Sequence, residues 1–163
     1  MRFLLDANVF IQAHRLYYPF DVFPAFWGWI EQENAAGSIG SIKEVYDEIE
    51  DGNDPLAVWI KALDSEKWFL KCDDEDTQRY YAEIANEIMA GTHYTQSAKA
   101  EFLTVADSWL IAKVRAMNLT VVTEERSNTQ RRNKIFVPDI CNMYNIPCIN
   151  TIGLIRTLGG RFG

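Results

Sequence analysis

The sequence lacks any apolar run long enough to cross a bilayer, and its first residues, MRFLLD, lack the apolar region and cleavage site of a secretory signal peptide. We therefore expect a cytoplasmic protein with no membrane partner. Linkers rich in Pro, Gly and Ser, low-complexity tracts and internal repeats are also missing. The length of 163 residues predicts one domain that spans residues 1–163.

Residues for a metal site built on sulfur or imidazole are scarce. The chain has three cysteines, none of which forms a CxxC pair, and two histidines, His14 and His93. A zinc site needs such residues at close, regular spacing, so this pattern argues against zinc. We interpret the cysteines as reduced residues of the core.

Basic residues are also fewer than acidic ones, 16 against 23, which gives a net charge of -7 and a pI of about 4.8. This balance argues against a protein that coats nucleic acid with a basic face. It does not exclude a nuclease, because carboxylates that bind metal ions add negative charge that the bound cations cancel. The first strand is not followed by a Gly-rich loop, which argues against a nucleotide-binding module with a phosphate cradle.

Short apolar strands separated by helical segments predict an α/β fold with a central parallel sheet of about four to five strands and helices on both faces. The predicted strands are residues 2–5, 38–40, 120–123, 136–137 and 148–149, and residues 68–70 are predicted as a small strand or an extended link. The predicted helices are residues 8–17, 24–36, 42–50, a segment from 54, 75–89, 96–103, 106–117 and 151–158. In such sheets the functional crevice lies outside the carboxyl ends of the strands.

Acidic residues stand at that end of several predicted elements. Asp6 follows the first strand, Glu44 lies in the first turn of the helix after the second, Asp107 opens the helix before the strand at Val121, and Glu124 and Glu125 follow that strand. Each residue alone has a structural explanation. Asp6 and Asp107 suit the starts of helices, and Ser41 with Glu44 has the form of a capping box.

Together these acids indicate a different role. Carboxylates that share one cleft repel one another, and a hard divalent cation such as Mg²⁺ or Mn²⁺ relieves the repulsion. Such a cation needs only oxygen ligands, and carboxylate-held Mg²⁺ is typical of phosphoryl-transfer sites. Asn8 is placed to orient the carboxylate of Asp6 or to cap the helix itself.

The strings LLDANVFI (4–11), SIKEVYDEI (41–49), ADSWLIAKV (106–114) and VVTEE (121–125) resemble, in order and spacing, the motifs of the PIN-domain family. The likeness spans about residues 2–149 and is greatest to VapC-like toxin ribonucleases and to a DUF4411-like branch. It implies a PIN-like fold and a metal-dependent endoribonuclease, usually the toxin of a toxin–antitoxin pair. It further implies an RNA substrate, a cognate antitoxin protein and homodimer formation.

Carried over by position, the resemblance makes Asp6, Glu44 and Asp107 ligands of one or two Mg²⁺ or Mn²⁺ ions. The family's fourth acid usually follows in a T-x-D pattern, whereas this chain has Thr123-Glu124-Glu125. Glu125 fits the spacing and is expected to act with the first three in catalysis, with Glu124 as the alternative metal ligand. Asn8 and Thr123 are expected to support the acids.

The segment 126–134 concentrates positive charge in this acidic chain through Arg126, Arg131, Arg132 and Lys134. We interpret these residues as an RNA phosphate clamp beside the metal site, with a flexible solvated loop as the equally favoured alternative. Two other functions stay open. One is a PIN-fold binding or scaffold protein that has lost activity; the other is a different Mg²⁺-dependent phosphohydrolase. A haloacid-dehalogenase-type enzyme fits poorly, because Asn8 stands where that chemistry needs a second Asp.

Overall fold

The computed structural model describes residues 1–162 and has an α/β architecture. The β-strands are β1 (Phe3–Leu5), β2 (Ile39–Ile42), β3 (Phe69–Leu70), β4 (Thr120–Val122) and β5 (Cys148–Ile149). The first α-helices are α1 (Ala7–Gln12), α2 (Pro24–Ala35), α3 (Lys43–Glu50), α4 (Pro55–Lys61) and α5 (Ser65–Trp68). The later ones are α6 (Glu75–Ala90), α7 (Gln96–Thr104), α8 (Ala106–Met117), α9 (Val137–Met143) and α10 (Thr151–Leu158). A π-helical turn, Ala13–Tyr17, continues α1.

Within residues 1–162 the five strands form one sheet in the order β3-β2-β1-β4-β5, and every neighbouring pair is parallel. Consecutive residues of a strand face opposite sides of the sheet, and all three residues of β1 are buried. Both faces of the sheet are therefore covered, as a parallel sheet flanked by helices requires. The predicted α/β fold with a parallel sheet is confirmed.

The strand order reverses at β1, since the chain adds β2 and β3 on one side of this strand and β4 and β5 on the other. A crevice forms outside the carboxyl ends of the strands at such a reversal, because the connections leave in opposite directions. Here the crevice lies between Asp6, which follows β1, and Thr123, which follows β4. The topology thus brings two predicted site residues 117 positions apart in sequence to one place.

Helix α8, which carries Asp107, is held from outside by α6. The ring of Trp109 stacks on that of Tyr81 with 3.8 Å between centroids. The ammonium of Lys113 lies 2.7 Å from the carboxylate of Asp74, just before α6. Tyr81 and Asp74, which lie in the chain between the SIKEVYDEI and ADSWLIAKV strings, therefore stabilise the position of the helix that carries Asp107.

Two local predictions are wrong. Residues 136–137 do not form a strand: Phe136 is extended, and Val137 begins α9 with Pro138 in the first helical turn, where proline costs no hydrogen bond. The capping box at Ser41 does not form either. Ser41 lies in β2, its hydroxyl donates to the backbone carbonyl of Leu5, and α3 has no side-chain cap.

Aromatic side chains of α2 stack on aromatic side chains of the segment that precedes the helix. The ring of Trp27 stacks on Phe20 at 4.2 Å between centroids, and Phe26 stacks on Tyr18 at 4.3 Å. Phe26 and Trp27 are buried. These two residues therefore belong to the core. No helix within residues 1–162 has the length and apolar character to span a bilayer.

Candidate active site

A cavity of about 190 Å³ opens at the carboxyl ends of β1 and β4. Five of the residues that line it are acids: Asp6, Glu48, Glu101, Asp107 and Glu125. Asn8, Lys134 and several apolar side chains also line it. Three of the predicted acids, from three separate elements, thus meet in one cavity.

Asp6 lines this cavity, and only 1% of its surface is exposed. Its backbone N–H donates to the carbonyl of Val122 at 2.9 Å, which fixes its main chain to the end of β4. It stands at the N-cap position of α1, yet its side chain makes no cap hydrogen bond. The carboxylate therefore does not cap α1, which is the usual structural role of an Asp at this position.

The side chains of Thr123 and Asn8 hold that carboxylate. Thr123 donates its hydroxyl hydrogen to Oδ2 of Asp6 at 2.9 Å, and the amide of Asn8 donates to the same oxygen at 3.1 Å. The carbonyl oxygen of Asn8 accepts the backbone N–H of Glu124 at 3.0 Å. Asn8 and Thr123, predicted as supporting residues, are thus in contact with Asp6 and with each other.

Burial raises the pKa of Asp6 to about 7, against the hydrogen bond from Thr123, which lowers it. Burial also raises the pKa of Asp107, and the charges of Asp6 and Glu125 add to this, to about 8. The pKa of Glu125 is raised chiefly by burial. These carboxyl groups therefore cannot all ionise near neutral pH without a compensating cation.

The two glutamates after β4 point to different neighbours. Glu125 lines the acidic cavity, and one of its carboxylate oxygens accepts the backbone N–H of Val137 at 2.9 Å. Glu124 accepts the backbone N–H of Thr151, the first residue of α10, at 2.9 Å. Glu125 is thus next to Asp6 and Asp107, whereas Glu124 is engaged with a helix start outside the residues that line the cavity.

On α3 it is Glu48, and not the predicted Glu44, that lines the cavity with Asp6. Glu44 lies one turn earlier and lines two neighbouring depressions, one with Cys72 and one with Glu48. Its Oε2 is buried without a hydrogen-bond partner among residues 1–162. Sequence reasoning did not select Glu48 as a site residue, although it stands four positions from Glu44, and residues at that spacing share a helix face.

The four predicted clamp residues occupy different surroundings. Arg132 donates to the backbone carbonyls of His93 and Thr92, so its guanidinium anchors the segment to the turn before α7. Arg131 is exposed and donates to the side chain of Asn133. Arg126 is exposed as well. Lys134 lines the acidic cavity.

Asp139, in the first turn of α9, holds the start of the segment 126–134. Its buried carboxylate accepts the hydroxyl of Ser127 and the backbone N–H of Asn128, the latter at 3.0 Å. The carbonyl of Thr129 contacts the ring of His93 at 2.6 Å. The segment 126–134 is thus pinned at several points and is not the free loop of the alternative interpretation.

The donor set of the cavity suits a hard divalent cation, because it consists of carboxylates in a partly buried setting that disfavours their charge. Within residues 1–162, however, no group of three or more His, Cys, Asp or Glu side chains is arranged so that it could hold a metal ion. Mg²⁺ keeps several of its waters when protein carboxylates bind it, so one or two direct carboxylate ligands suffice for it.

The sequence matches the family model of DUF4411, a domain of unknown function, over residues 3–162. In structure the chain is similar to a chain of the crystal structure of VapBC2 from Rickettsia felis bound to a DNA fragment from their promoter. The TM-score is 0.58 at 14% sequence identity, with 92% of this chain and 98% of the other covered. No curated protein matches the sequence. The family match and this likeness confirm the predicted DUF4411-like, PIN-like assignment.

Proposed function

The chain belongs to the DUF4411 family, and we propose that it is a metal-dependent endoribonuclease of PIN type that acts as the toxin of a toxin–antitoxin pair. One observation carries the proposal: Asp6, Asp107, Glu125 and Glu48 line one cavity at the reversal of strand order. Polar residues with raised pKa values in a cleft are typical of functional sites.

The metal ligands in this proposal are Asp6, Asp107 and Glu125, with Glu48 taking the position that the sequence assigned to Glu44. They would hold one or two Mg²⁺ or Mn²⁺ ions. When bound, such an ion supplies Lewis-acid chemistry for hydrolysis of a phosphodiester bond. Glu124 is engaged with α10 in this proposal and supports the turn that carries Glu125.

The remaining site residues position these acids. Thr123 and Asn8 both bond to Oδ2 of Asp6, which fixes the orientation of that carboxylate. The backbone N–H of Glu125 donates to the hydroxyl of Thr123 at 3.1 Å, so the turn after β4 is coupled to the same network. A site held on rigid elements in this way costs little reorganisation when substrate binds.

The substrate in this proposal is RNA, and family analogy gives products with 5′-phosphate and 3′-hydroxyl ends. Lys134 of the basic segment 126–134 lines the cavity, and positive charge there favours contact with the phosphate backbone. The structurally similar crystal structure is a VapBC2 complex. By analogy we propose an antitoxin partner for this chain and a homodimer as its assembled form.

A second candidate is a PIN-fold binding protein without activity. Two observations favour it. Glu125 accepts the N–H of Val137, and residues 1–162 contain no group of three or more His, Cys, Asp or Glu side chains arranged to hold a metal ion. Metal affinity separates the two candidates, because a degenerate site has no reason to retain it.

The test is an RNA cleavage assay with a mixed pool of structured and unstructured RNAs in Mn²⁺, in Mg²⁺ and in EDTA. Wild type is compared with Asp6→Asn and Asp107→Asn. The matched control is Asp47→Asn, since Asp47 is an exposed acid of α3 that pairs with Lys43 outside the cavity. We expect cleavage that needs metal, is lost in both site variants and persists in the control.

Equal cleavage by wild type and both site variants would contradict the proposal. Absence of cleavage together with absence of Mn²⁺ binding would instead support the inactive binding protein.

A further inference from the structure

Lys134 is the one clamp residue that faces the carboxylates. It is half-buried and lines the cavity together with Asp6, Asp107 and Glu125. Its ammonium nitrogen lies 5.3 Å from the centroid of the Phe136 ring, which supports its side chain from one side. Among residues 1–162 no salt bridge joins Lys134 to a carboxylate. Its charge is thus inside the site without being neutralised by a direct partner.

The chain on both sides of Lys134 is fixed. The next residue, Ile135, is 3% exposed and belongs to the core. Two residues before, Arg132 is tied by its guanidinium to the carbonyls of Thr92 and His93, and its own carbonyl accepts the N–H of Thr95 at 2.9 Å. Lys134 therefore projects from a pinned backbone, which distinguishes it from a mobile surface lysine.

A cation inside a group of carboxylates has opposite effects on the two ligands of a nuclease site. It repels a divalent metal ion, which binds to the same carboxylates, and it attracts a phosphate oxygen. Burial and the neighbouring acids raise the pKa of Asp107, and the charge of Lys134 acts in the other direction. The charge of Lys134 thus weakens metal binding at the neighbouring carboxylates. An anion that binds beside Lys134 gives this lysine a favourable role in the cavity.

We propose that Lys134 is a catalytic residue that contacts a non-bridging oxygen of the scissile phosphate and stabilises the charge that develops there, while Arg132 only anchors the segment. This inference rests on the proposed nuclease function and adds a cation to its acidic site. Lysine suits the role because its compact charge binds phosphate without the planar geometry of arginine.

The test compares Lys134→Met and Lys134→Arg with Lys61→Met. Lys61 is the matched control, because it is an exposed lysine in the last turn of α4, outside both the cavity and the segment 126–134. Two quantities are measured: the single-turnover cleavage rate of the RNA pool at saturating Mn²⁺, and the Kd of Mn²⁺ without RNA by calorimetry. A thermal denaturation midpoint near that of wild type shows that each variant is folded.

For Lys134→Met we expect cleavage to fall about 10²-fold, as for loss of one donor to a developing oxyanion. We expect Mn²⁺ to bind roughly 3- to 10-fold more tightly, because a like charge is gone. Lys134→Arg keeps the charge and should retain the wild-type Kd of Mn²⁺. Lys61→Met should leave both quantities within about 3-fold of wild type, since exposed charges outside the site interact weakly with it.

Opposite changes in the two quantities cannot arise from a damaged fold, which would weaken both. Unchanged cleavage in Lys134→Met, or loss of Mn²⁺ binding together with cleavage, would overturn the role of Lys134. The proposed function fails separately, if wild type cleaves no RNA in Mn²⁺. The Mn²⁺ arm still tests the placement of Lys134 in that case, since an unchanged Kd in Lys134→Met would overturn it.

Discussion

The hydroxyl of Thr123 donates a 2.9 Å hydrogen bond to the carboxylate of Asp6, and both residues are buried, at 2% and 1% exposure. This bond joins the residues that follow β1 and β4, the two strands between which the strand order reverses. It also lowers the pKa of Asp6 against the larger effect of burial, which raises it. Thr123 thus favours the charged form of the acid that a metal ion would bind.

Replacement of Thr123 by Val keeps the shape of the side chain and removes this bond. We expect the free energy of unfolding to fall by about 1–3 kcal/mol, because Asp6 and the N–H of Glu125 both lose a buried partner. We also expect weaker binding of Mn²⁺. Urea denaturation and calorimetry measure the two effects.

The control is Thr120→Val at the start of β4, since the hydroxyl of Thr120 makes no hydrogen bond within residues 1–162, and its backbone N–H bonds to the carbonyl of Arg2. Equal stability and Mn²⁺ affinity of Thr123→Val and wild type would contradict the role assigned to this hydroxyl.

The stability of the metal-free protein should fall as the pH rises from about 4 to about 8. The pKa of Asp6 is raised to about 7 and that of Asp107 to about 8, while unfolded chains have values near 3.9. The folded state then binds more protons than the unfolded state between about pH 4 and pH 8, so its stability falls as the pH rises through that range.

Urea denaturation in EDTA at several pH values measures this slope. Asp6→Asn should flatten it, and Mn²⁺ should restore stability most at the high end. Asp74, whose pKa Lys113 lowers, acts in the other direction but only below about pH 4, outside the window. A stability that rises steadily from pH 5 to pH 8 in EDTA would rule out the predicted titration.

Glu48 and Glu44 can be separated by a matched pair of variants. We expect Glu48→Gln to weaken Mn²⁺ binding by about 10-fold or more, because a neutral amide replaces a charged ligand in the cavity. Glu44→Gln should change the Kd by less than about 3-fold, since Glu44 lies outside the residues that line the cavity. Calorimetric titration with Mn²⁺ is the measurement, and the reverse order of effects would return the metal-binding role to Glu44.

Asp139 should control the order of the segment 126–134. Its carboxylate accepts both the hydroxyl of Ser127 and the N–H of Asn128, so Asp139→Ala frees the start of the segment. We expect trypsin to cleave after Arg126 or Arg131 at least about 10-fold faster, since local opening exposes the chain to proteases.

Asn142→Ala on the same helix is the control, because Asn142 is exposed. Equal cleavage rates for Asp139→Ala and wild type would show that the other contacts alone hold the segment.

The sequence alone determined the class of fold and part of the site. Short apolar strands that alternate with helices predict a parallel sheet, because each parallel connection needs a crossover. Asp6 and Thr123 follow strands, and the carboxyl ends of parallel strands meet at one edge. Their proximity follows from the topology. Asp107 could be placed for the same reason, as it opens the helix that leads into β4.

Only the tertiary structure decided between neighbouring candidates. Glu44 and Glu48 share one face of α3, and the placement of this helix in the fold determines that Glu48, and not Glu44, lines the cavity with Asp6. Glu124 and Glu125 are distinguished by the N–H groups of Thr151 and Val137, more than ten residues away in sequence. Local patterns fix which face of an element a residue occupies, whereas the partner of that face depends on contacts between distant segments.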